Sequence, residues 1–422
     1  MFYPILSLTF FALAIAIGCL LKKNTGIVSI SFTLILAIIA GASEKFSYIT
    51  DKWVLNSFDS SLFIMLLGVM YLFCIAEDNR TLELLARKAL ILCKGKVKLV
   101  PVALFVLGAL ISAIGPGLIS TTALMAVLAM AFAVEANVEP IKFLLFGGLG
   151  AFAGGLSPIT PSGIVAIEKA KSSGITGIAL PIALFMFIIM LFIAIVLYFI
   201  VFKWHKYKES DDVKVDMSDK SEKFQLKHIC TIIGIVLTAV ISTILDIKIG
   251  LVAFAVALIL TICGFADEGV ALKKIPWNTL IMITGVGMLI SLVTELGGID
   301  LLSDGLSLLM GEKTAAAIIT VLAGVMSWVS SASGVVMPTL IPTVTSLPGV
   351  DTALVTGICI GANVAAFSPL SSCGGLMLAA YSGSKISTPE GRNKMFGQLF
   401  LFSCVCIVIS AIFALVGCFD WF

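Results

Sequence analysis

Charge is scarce in this chain: only 12% of its residues are Asp, Glu, Lys or Arg, against 59% hydrophobic, and the mean hydropathy is +1.14. So little charge cannot clothe a soluble globule, and the bulk of the chain belongs in lipid. Its 422 residues supply ten or so spans of about 20 residues with short loops. No soluble domain is visible. Histidine is rarer still: His205 and His228 both flank the central polar stretch, which argues against a haem, a His-ligated metal centre or a membrane-embedded Ser-His dyad. The ten cysteines form no CxxC pair or loop framework and read as small membrane-buried residues. A net charge of +2 gives no reason to expect a nucleic-acid partner; the partner is the lipid bilayer.

The apolar runs fall at 4–21, 26–43, 60–76, 99–134, 141–168 and 178–202, then at 228–245, 249–266, 278–294, 314–347, 352–383 and 396–418. Six stand on each side of Lys203 to Lys227, a Lys-, Asp-, Glu- and Ser-rich stretch that reads as a solvated linker. Sliding the second half back by 217 positions lays Ile281-Met282 on Ile64-Met65 and Gly285-Val286 on Gly68-Val69. A shift of 211 lays Gly361-Ala362 on Gly150-Ala151 and Ser368-Pro369 on Ser157-Pro158, so the chain reads as an internal duplication. The first apolar run is a span and not a signal peptide, because Met1 to Pro4 carry no positive charge and Lys22-Lys23 follow the run.

Cytoplasmic loops are enriched in Lys and Arg. Arg80, Arg87, Lys88, Lys94, Lys96 and Lys98 follow the third run, whereas its counterpart carries Glu295, Asp300, Asp304 and Glu312 against Lys313 alone. Equivalent loops of opposite bias lie on opposite sides, so the repeats are inverted. With both termini outside, the count closes only if 99–134 and 314–347 enter and return on one face. Each has a break near its middle, Gly115-Pro116-Gly117 in one and Ser330-Ser331-Ala332-Ser333-Gly334 in the other, and arms too short for a full crossing.

The expected fold is an all-α polytopic membrane protein with two inverted repeats of five transmembrane helices, each with one re-entrant hairpin and one broken helix. The first repeat is 1–202 (hairpin 99–134, broken helix 141–168), the cytoplasmic linker 203–227, and the second repeat 228–422 (hairpin 314–347, broken helix 352–383).

The broken helices are marked by a recurring pattern, Ser157-Pro158-Ile159-Thr160-Pro161-Ser162-Gly163 and Ser368-Pro369-Leu370-Ser371-Ser372-Cys373-Gly374. Pro removes a helical hydrogen bond and Gly relaxes the backbone, so each copy frees polar groups at mid-depth, and paired broken helices point to a secondary transporter's binding site. Helix N-termini at the breaks and hairpin tips present unpaired N–H groups and partial positive charge to an anion. The candidate substrate residues are Gly115, Gly117, Ser120, Thr121, Ser157, Thr160, Ser331, Ser333, Gly334, Asn363, Ser368 and Ser371. The ordinary use of Ser and Thr in membrane helices is a bond to their own i−4 carbonyl or to a neighbouring helix.

Ionisable residues are absent from tips and breaks; the nearest in sequence are Glu135 and Glu168. That favours a coupling cation held by carbonyls and hydroxyls over a proton relay. Na⁺ is placed near Gly117, Ser157, Ser333 and Ser368, with H⁺ left open as the coupling ion and no other cofactor expected. Gly148-Leu149-Gly150 lies inside an apolar run and is no dinucleotide fingerprint, and the sequon Asn79-Arg80-Thr81 falls on the inside. The 81–92 stretch is amphipathic and basic, as if lying along the membrane surface.

With these features the chain resembles the malonate-type dicarboxylate carriers (MatC type), within the ion-transporter group that includes the divalent anion:sodium symporters. The resemblance rests on Ser60-Ser61-Leu62-Phe63 through Gly68-Val69, Asn79 to Leu85, Gly115-Pro116-Gly117 with Ala123-Leu124, Ser157-Pro158, Pro276-Trp277, Ser333-Gly334-Val335-Val336 with Pro338 and Pro342, and Ser368-Pro369-Leu370-Ser371. It implies a homodimer in which a scaffold stays put while a hairpin-bearing part slides like an elevator. Symporter relatives carry Ser-Asn-Thr at both tips; here those places read Gly117-Leu118-Ile119 and Ala332-Ser333-Gly334, nearer the MatC type. The resulting reading is a secondary transporter of small dicarboxylates (malonate, malate or succinate) in a bacterial-type inner membrane, not an enzyme. An exporter of an inorganic oxyanion and an anion channel are the alternatives.

Overall fold

A computed structural model describes all residues except 1, 22, 85–95, 207–222, 246, 385 and 422. Arg87, Lys88, Lys94, Lys385, most of the linker and most of the 81–92 stretch therefore lie outside the described residues.

Every regular element among the described residues is helical. The first half runs α1 (Phe2–Leu20), α2 (Thr25–Gly41), the short α3 (Asp51–Asn56) and α4 (Ser60–Asp78). Then come α5 (Val100–Ala113) and α6 (Gly117–Glu135), which pack against each other across the turn at 114–116. The pair α7 (Ile141–Gly154) and α8 (Pro161–Ser172) is split at 155–160, and α9 (Ala179–Val196) runs on through a π turn at Leu197–Val201. The second half gives α10 (Leu226–Leu245), α11 (Ile249–Ile262), the short α12 (Glu268–Lys274), α13 (Trp277–Glu295) and α14 (Gly298–Ser307). After these, α15 (Ala315–Val329) bends by 120° into α16, which starts as a π turn (Ala332–Val336) and continues to Ser346. The pair α17 (Asp351–Val364) and α18 (Ser372–Ser382) and the long α19 (Pro389–Leu415) complete the chain.

Six of these helices, taken with their continuations, are long and apolar enough to cross a membrane, and the bent pair would make a seventh. One sequence expectation is corrected: the arms of the first hairpin are unequal, and α6, at 19 residues, has the length of a full span. A run of Ala, Met and Leu after the tip carries the helical hydrogen bonding on uninterrupted to Glu135.

The halves are sewn together where glycines remove side-chain bulk. A Cβ on Gly68 of α4 would stand 2.1 Å from the Gly250 carbonyl oxygen of α11, and one on Gly285 of α13 would stand 2.4 Å from that of Gly26 in α2. The partners are exchanged between halves: Gly26 faces Ile281 and Met282, while Gly250 faces Ile64 and Met65. Small residues let helix backbones approach closely where lipid supplies no hydrophobic drive. Asn24 caps α2 by accepting from Gly26 N–H (2.9 Å) and donates to the Asn278 carbonyl (2.8 Å), so α2 and α13 start side by side.

The broken helices occupy the centre, with every residue of α17 from Ala353 to Val364 buried. Gly150 of α7 lies against the Phe105 carbonyl of α5 (2.2 Å from an added Cβ), and Gly361 of α17 against the Thr320 carbonyl of α15 (2.1 Å). Large apolar side chains on α1, α2, α10, α11 and α19 are exposed, as a lipid-facing surface demands.

Polar contacts sort to two ends of the bundle. At the start of α4, Asp59 accepts from Leu62 N–H (2.9 Å) and lies 3.7 Å from Lys169, while Lys248 bonds Ser61 and lies 3.9 Å from Glu168. At the end of α4, Asp78 pairs with Lys274 at 3.1 Å and accepts from Asp267 N–H. Nearby, the Asn79 side chain is buried, bonded to Thr231 (2.7 Å) and Thr81 (2.6 Å). The sequon is a structural joint between α4 and α10. Trp204, read from sequence as part of the solvated linker, is buried and stacks on Phe143 of α7 at 5.2 Å.

Candidate functional site

Each recurring motif builds a tight turn into a new helix. Thr160 caps α8 by accepting from Gly163 N–H (3.1 Å), and its hydroxyl faces the carbonyls of Ser157 (2.7 Å) and Gly155 (2.8 Å). Ser371, ahead of α18, donates to the Ala366 carbonyl at 2.9 Å, and Ser368 accepts from Leu370 N–H at 3.2 Å. The motif glycines have to be glycine: a Cβ on Gly163 would lie 2.0 Å from the Ser157 carbonyl, and one on Gly374 2.2 Å from that of Ser368. At the first hairpin tip Gly115 and Gly117 hold φ of 139° and 73°, a region that only glycine adopts freely.

These turns aim four helix N-termini at one cavity, whose empty space, open mouth included, is about 1140 Å³. Its wall takes Gly117 to Ser120 from the start of α6, Pro161-Ser162 from α8, Ala332-Ser333 from α16 and Ser372-Cys373 from α18. The positive ends of four helix dipoles make such a place favourable to an anion.

Of the residues expected from sequence, Gly115, Gly117, Ser120, Ser331, Ser333, Asn363 and Ser371 line the cavity. Thr121, Thr160, Gly334 and Ser368 are buried behind the wall, and Ser157 is half-buried outside it. Hydrogen bonding divides the lining further. Ser330 donates to the Met326 carbonyl (2.6 Å), Ser331 accepts from Gly334 N–H (3.1 Å) and Ser371 is bonded as above, so all three are tied to backbone. Ser120 and Ser333 form no side-chain hydrogen bond among the described residues, so both hydroxyls in the lining are uncommitted. Asn363 donates to the Cys359 carbonyl at 2.7 Å, while its carboxamide oxygen is buried without a partner.

Sequence reasoning missed the far wall. Met70, Phe73, Cys74 and Glu77 of α4 face the tips, with Lys274, Pro276 and Thr279 beside them. Glu77 and Lys274 bring charge to the cavity that neither tips nor breaks contain. Glu168, one of the nearest ionisable residues in sequence, is at the opposite end against Lys248. A signal was present: Glu77-Asp78 close the span containing the repeated Gly-Val, and Lys274 immediately precedes Ile275-Pro276-Trp277. No group of three His, Cys, Asp or Glu suited to a metal occurs among the described residues.

Residues 7–368 match the family model described as citrate transporter (CitMHS). This chain belongs to the citrate transporter family. The transporter is thus a multi-pass membrane protein and not an enzyme. Its fold is similar to that in the crystal structure of the Alcanivorax borkumensis YdaH transporter, described as having an unusual topology, with a TM-score of 0.62 over 94% of this chain and 98% of that one. The two sequences are 11% identical, so the likeness speaks for fold alone. No curated protein matches the sequence.

Proposed function

We propose that this transporter is a secondary active carrier of small anions bearing two or more carboxylates, from malonate, malate and succinate to citrate. The convergence of four helix N-termini on one cavity carries the reading, because uncharged donors facing one another suit an anion charged at both ends. Ser120 and Ser333 add free hydroxyls from opposite hairpins. Among the described residues Lys274 is the single cationic side chain in the lining, and Asp78 already neutralises it in part. Substrate charge is therefore offset largely by dipoles and by a co-transported cation, Na⁺ or H⁺.

The glycine crossings join α2, α4, α11 and α13 into a scaffold, while each hairpin packs on its own broken helix. An elevator movement of the hairpin-bearing part against that scaffold, in a homodimer in the cell membrane, fits this division and the likeness to malonate-type carriers. Uptake of radiolabelled malonate, malate, succinate and citrate into proteoliposomes tests the proposal, with Na⁺ and pH gradients imposed separately. Saturable uptake, counterflow exchange and competition by dicarboxylates but not by acetate or propionate are expected. Equal competition by acetate would overturn the substrate class, and flux without counterflow would indicate a channel.

A further inference from the structure

Two neighbouring residues of α8, Glu168 and Lys169, carry opposite charges and reach to different helices. The Lys169 ammonium lies 3.7 Å from the carboxylate of Asp59, the N-cap of α4, and the Glu168 carboxylate 3.9 Å from the ammonium of Lys248, the N-cap of α11. Successive residues of a helix point about 100° apart, so one turn can serve two partners. Lys169 also passes over α13, where Gly287 leaves room: a Cβ there would stand 3.9 Å from the ammonium. Both pairs therefore tie the first broken helix to helices of the glycine-joined scaffold.

The second half repeats the scaffold contact without the charges. The 217-residue shift lays Asp59 on Pro276, and the 211-residue shift lays Glu168-Lys169 on Ala379-Ala380. Gly250 and Gly26 of the exchanged crossings stand 224 positions apart, and that shift lays Lys248 on Asn24. Lys248 bonds Ser61, while Asn24 donates to the carbonyl of Asn278, which the 217-residue shift lays on Ser61. Four ionised groups in one place thus correspond to Asn, Pro and two Ala in the other.

In a carrier built of inverted repeats, the state with the cavity on the other face is approximated by each half taking up the arrangement of its counterpart. The contact of α8 with α4 and α11 then gives way to one of α18 with α13 and α2, whose equivalent positions are neutral. We propose, resting on the elevator reading above, that Asp59, Glu168, Lys169 and Lys248 form a one-sided latch favouring the conformation open beside Glu77 and Lys274 over the one open at the opposite face. The four side chains keep between 16% and 50% of their surface exposed. Exposed pairs of this kind shift an equilibrium by up to about fivefold each. That suits a bias which every transport cycle can release, and not a lock.

The test uses Ser120→Cys in an otherwise cysteine-free, full-length protein, in sealed membrane vesicles of known orientation, because Ser120 stands in the cavity wall. An impermeant maleimide added on the mouth side reads the conformation described here, and one added on the far side reads its opposite. Far-side labelling should rise by about two- to fivefold in Glu168→Gln and in Asp59→Asn, which keeps an oxygen to cap Leu62 N–H. It should rise at least as far in Lys248→Glu, which sets two carboxylates together, and return to the wild-type rate in Lys248→Glu with Glu168→Lys. Molar KCl, which screens exposed charges, should raise far-side labelling in the wild type but not when both pairs are removed.

Melting temperature in detergent, followed alongside, separates a latch from ion pairs that merely hold the fold. Variants whose ratio of far-side to mouth-side labelling stays at the wild-type value would overturn the latch, whether or not their melting temperature falls. So would a charge-swapped double variant that melts like the wild type yet labels like Lys248→Glu. If no protein in the series, in either salt, labels from the far side, the elevator reading itself has failed, an outcome distinct from the others.

Discussion

Gly68 and Gly250 meet backbone to backbone, and the contact is repeated with the halves exchanged where Gly285 meets Gly26. Neither crossing has room for a methyl group, since the added carbon would fall within 2.4 Å of a carbonyl oxygen. Gly68→Val or Gly285→Val should therefore cost at least the ~1–3 kcal/mol typical of overpacking. Thermal unfolding in detergent measures this. Gly305 of α14 is the control: nothing lies within 4 Å of its added Cβ, and Gly305→Ala should be neutral or stabilising by up to about 1 kcal/mol.

Orientation of the halves can be read from outside the protein. Single cysteines replacing Lys96 and Asp300 in a cysteine-free background should be labelled by an impermeant maleimide from opposite sides of the membrane. Labelling from one side would remove the charge argument for inversion.

The two hairpin tips should respond unequally to the same change. Gly117→Val forces a β-branched residue to φ of 73° beside Pro161, and transport should vanish while the protein still inserts. A Cβ added to Gly334 would stand 2.6 Å from the end of the Met282 side chain, which can turn away, so Gly334→Val should retain part of its activity. Comparable activity in both variants would separate the first tip's geometry from transport.

A carboxylate between α6 and α7 adds a pH dependence. The Lys394 ammonium hydrogen-bonds Glu139 at 2.8 Å and holds its carboxyl below the usual 4.5. A depressed acid contributes stability above its unfolded value, and the contribution disappears as pH falls through the folded value. Melting curves from neutral pH to below 4.5 should therefore steepen on the acid side in the wild type more than in Glu139→Gln. Identical curves would mean the pair is solvated too well to matter.

Much of the helical architecture was legible because lipid punishes exceptions. Long apolar runs fold as helices, and proline and glycine within them mark where helices stop. Thr160 and Ser371 shape the turns that such a pattern implies. The far wall was not legible, because Glu77 and Lys274 look like ordinary charges at helix ends until folding sets them across from the tips. Nor could sequence tell which hydroxyls stay free. Ser330 and Ser120 are alike on paper, yet Ser330, extended at the end of α15, donates to the Met326 carbonyl, while Ser120, in the first turn of α6, forms no side-chain hydrogen bond.

The cavity's wall includes Glu77, Lys274 and Thr279 at one end of the bundle but none of Asp59, Glu168, Lys169 or Lys248 at the other. A cavity that reaches only one end of a bundle makes no continuous path for ions across it. The pairs of Asp59 with Lys169 and of Lys248 with Glu168 stand at that other end, outside the cavity wall. In a membrane under voltage the protein in this conformation should hold off current, conducting no ion down its gradient and showing no unitary openings in a planar bilayer.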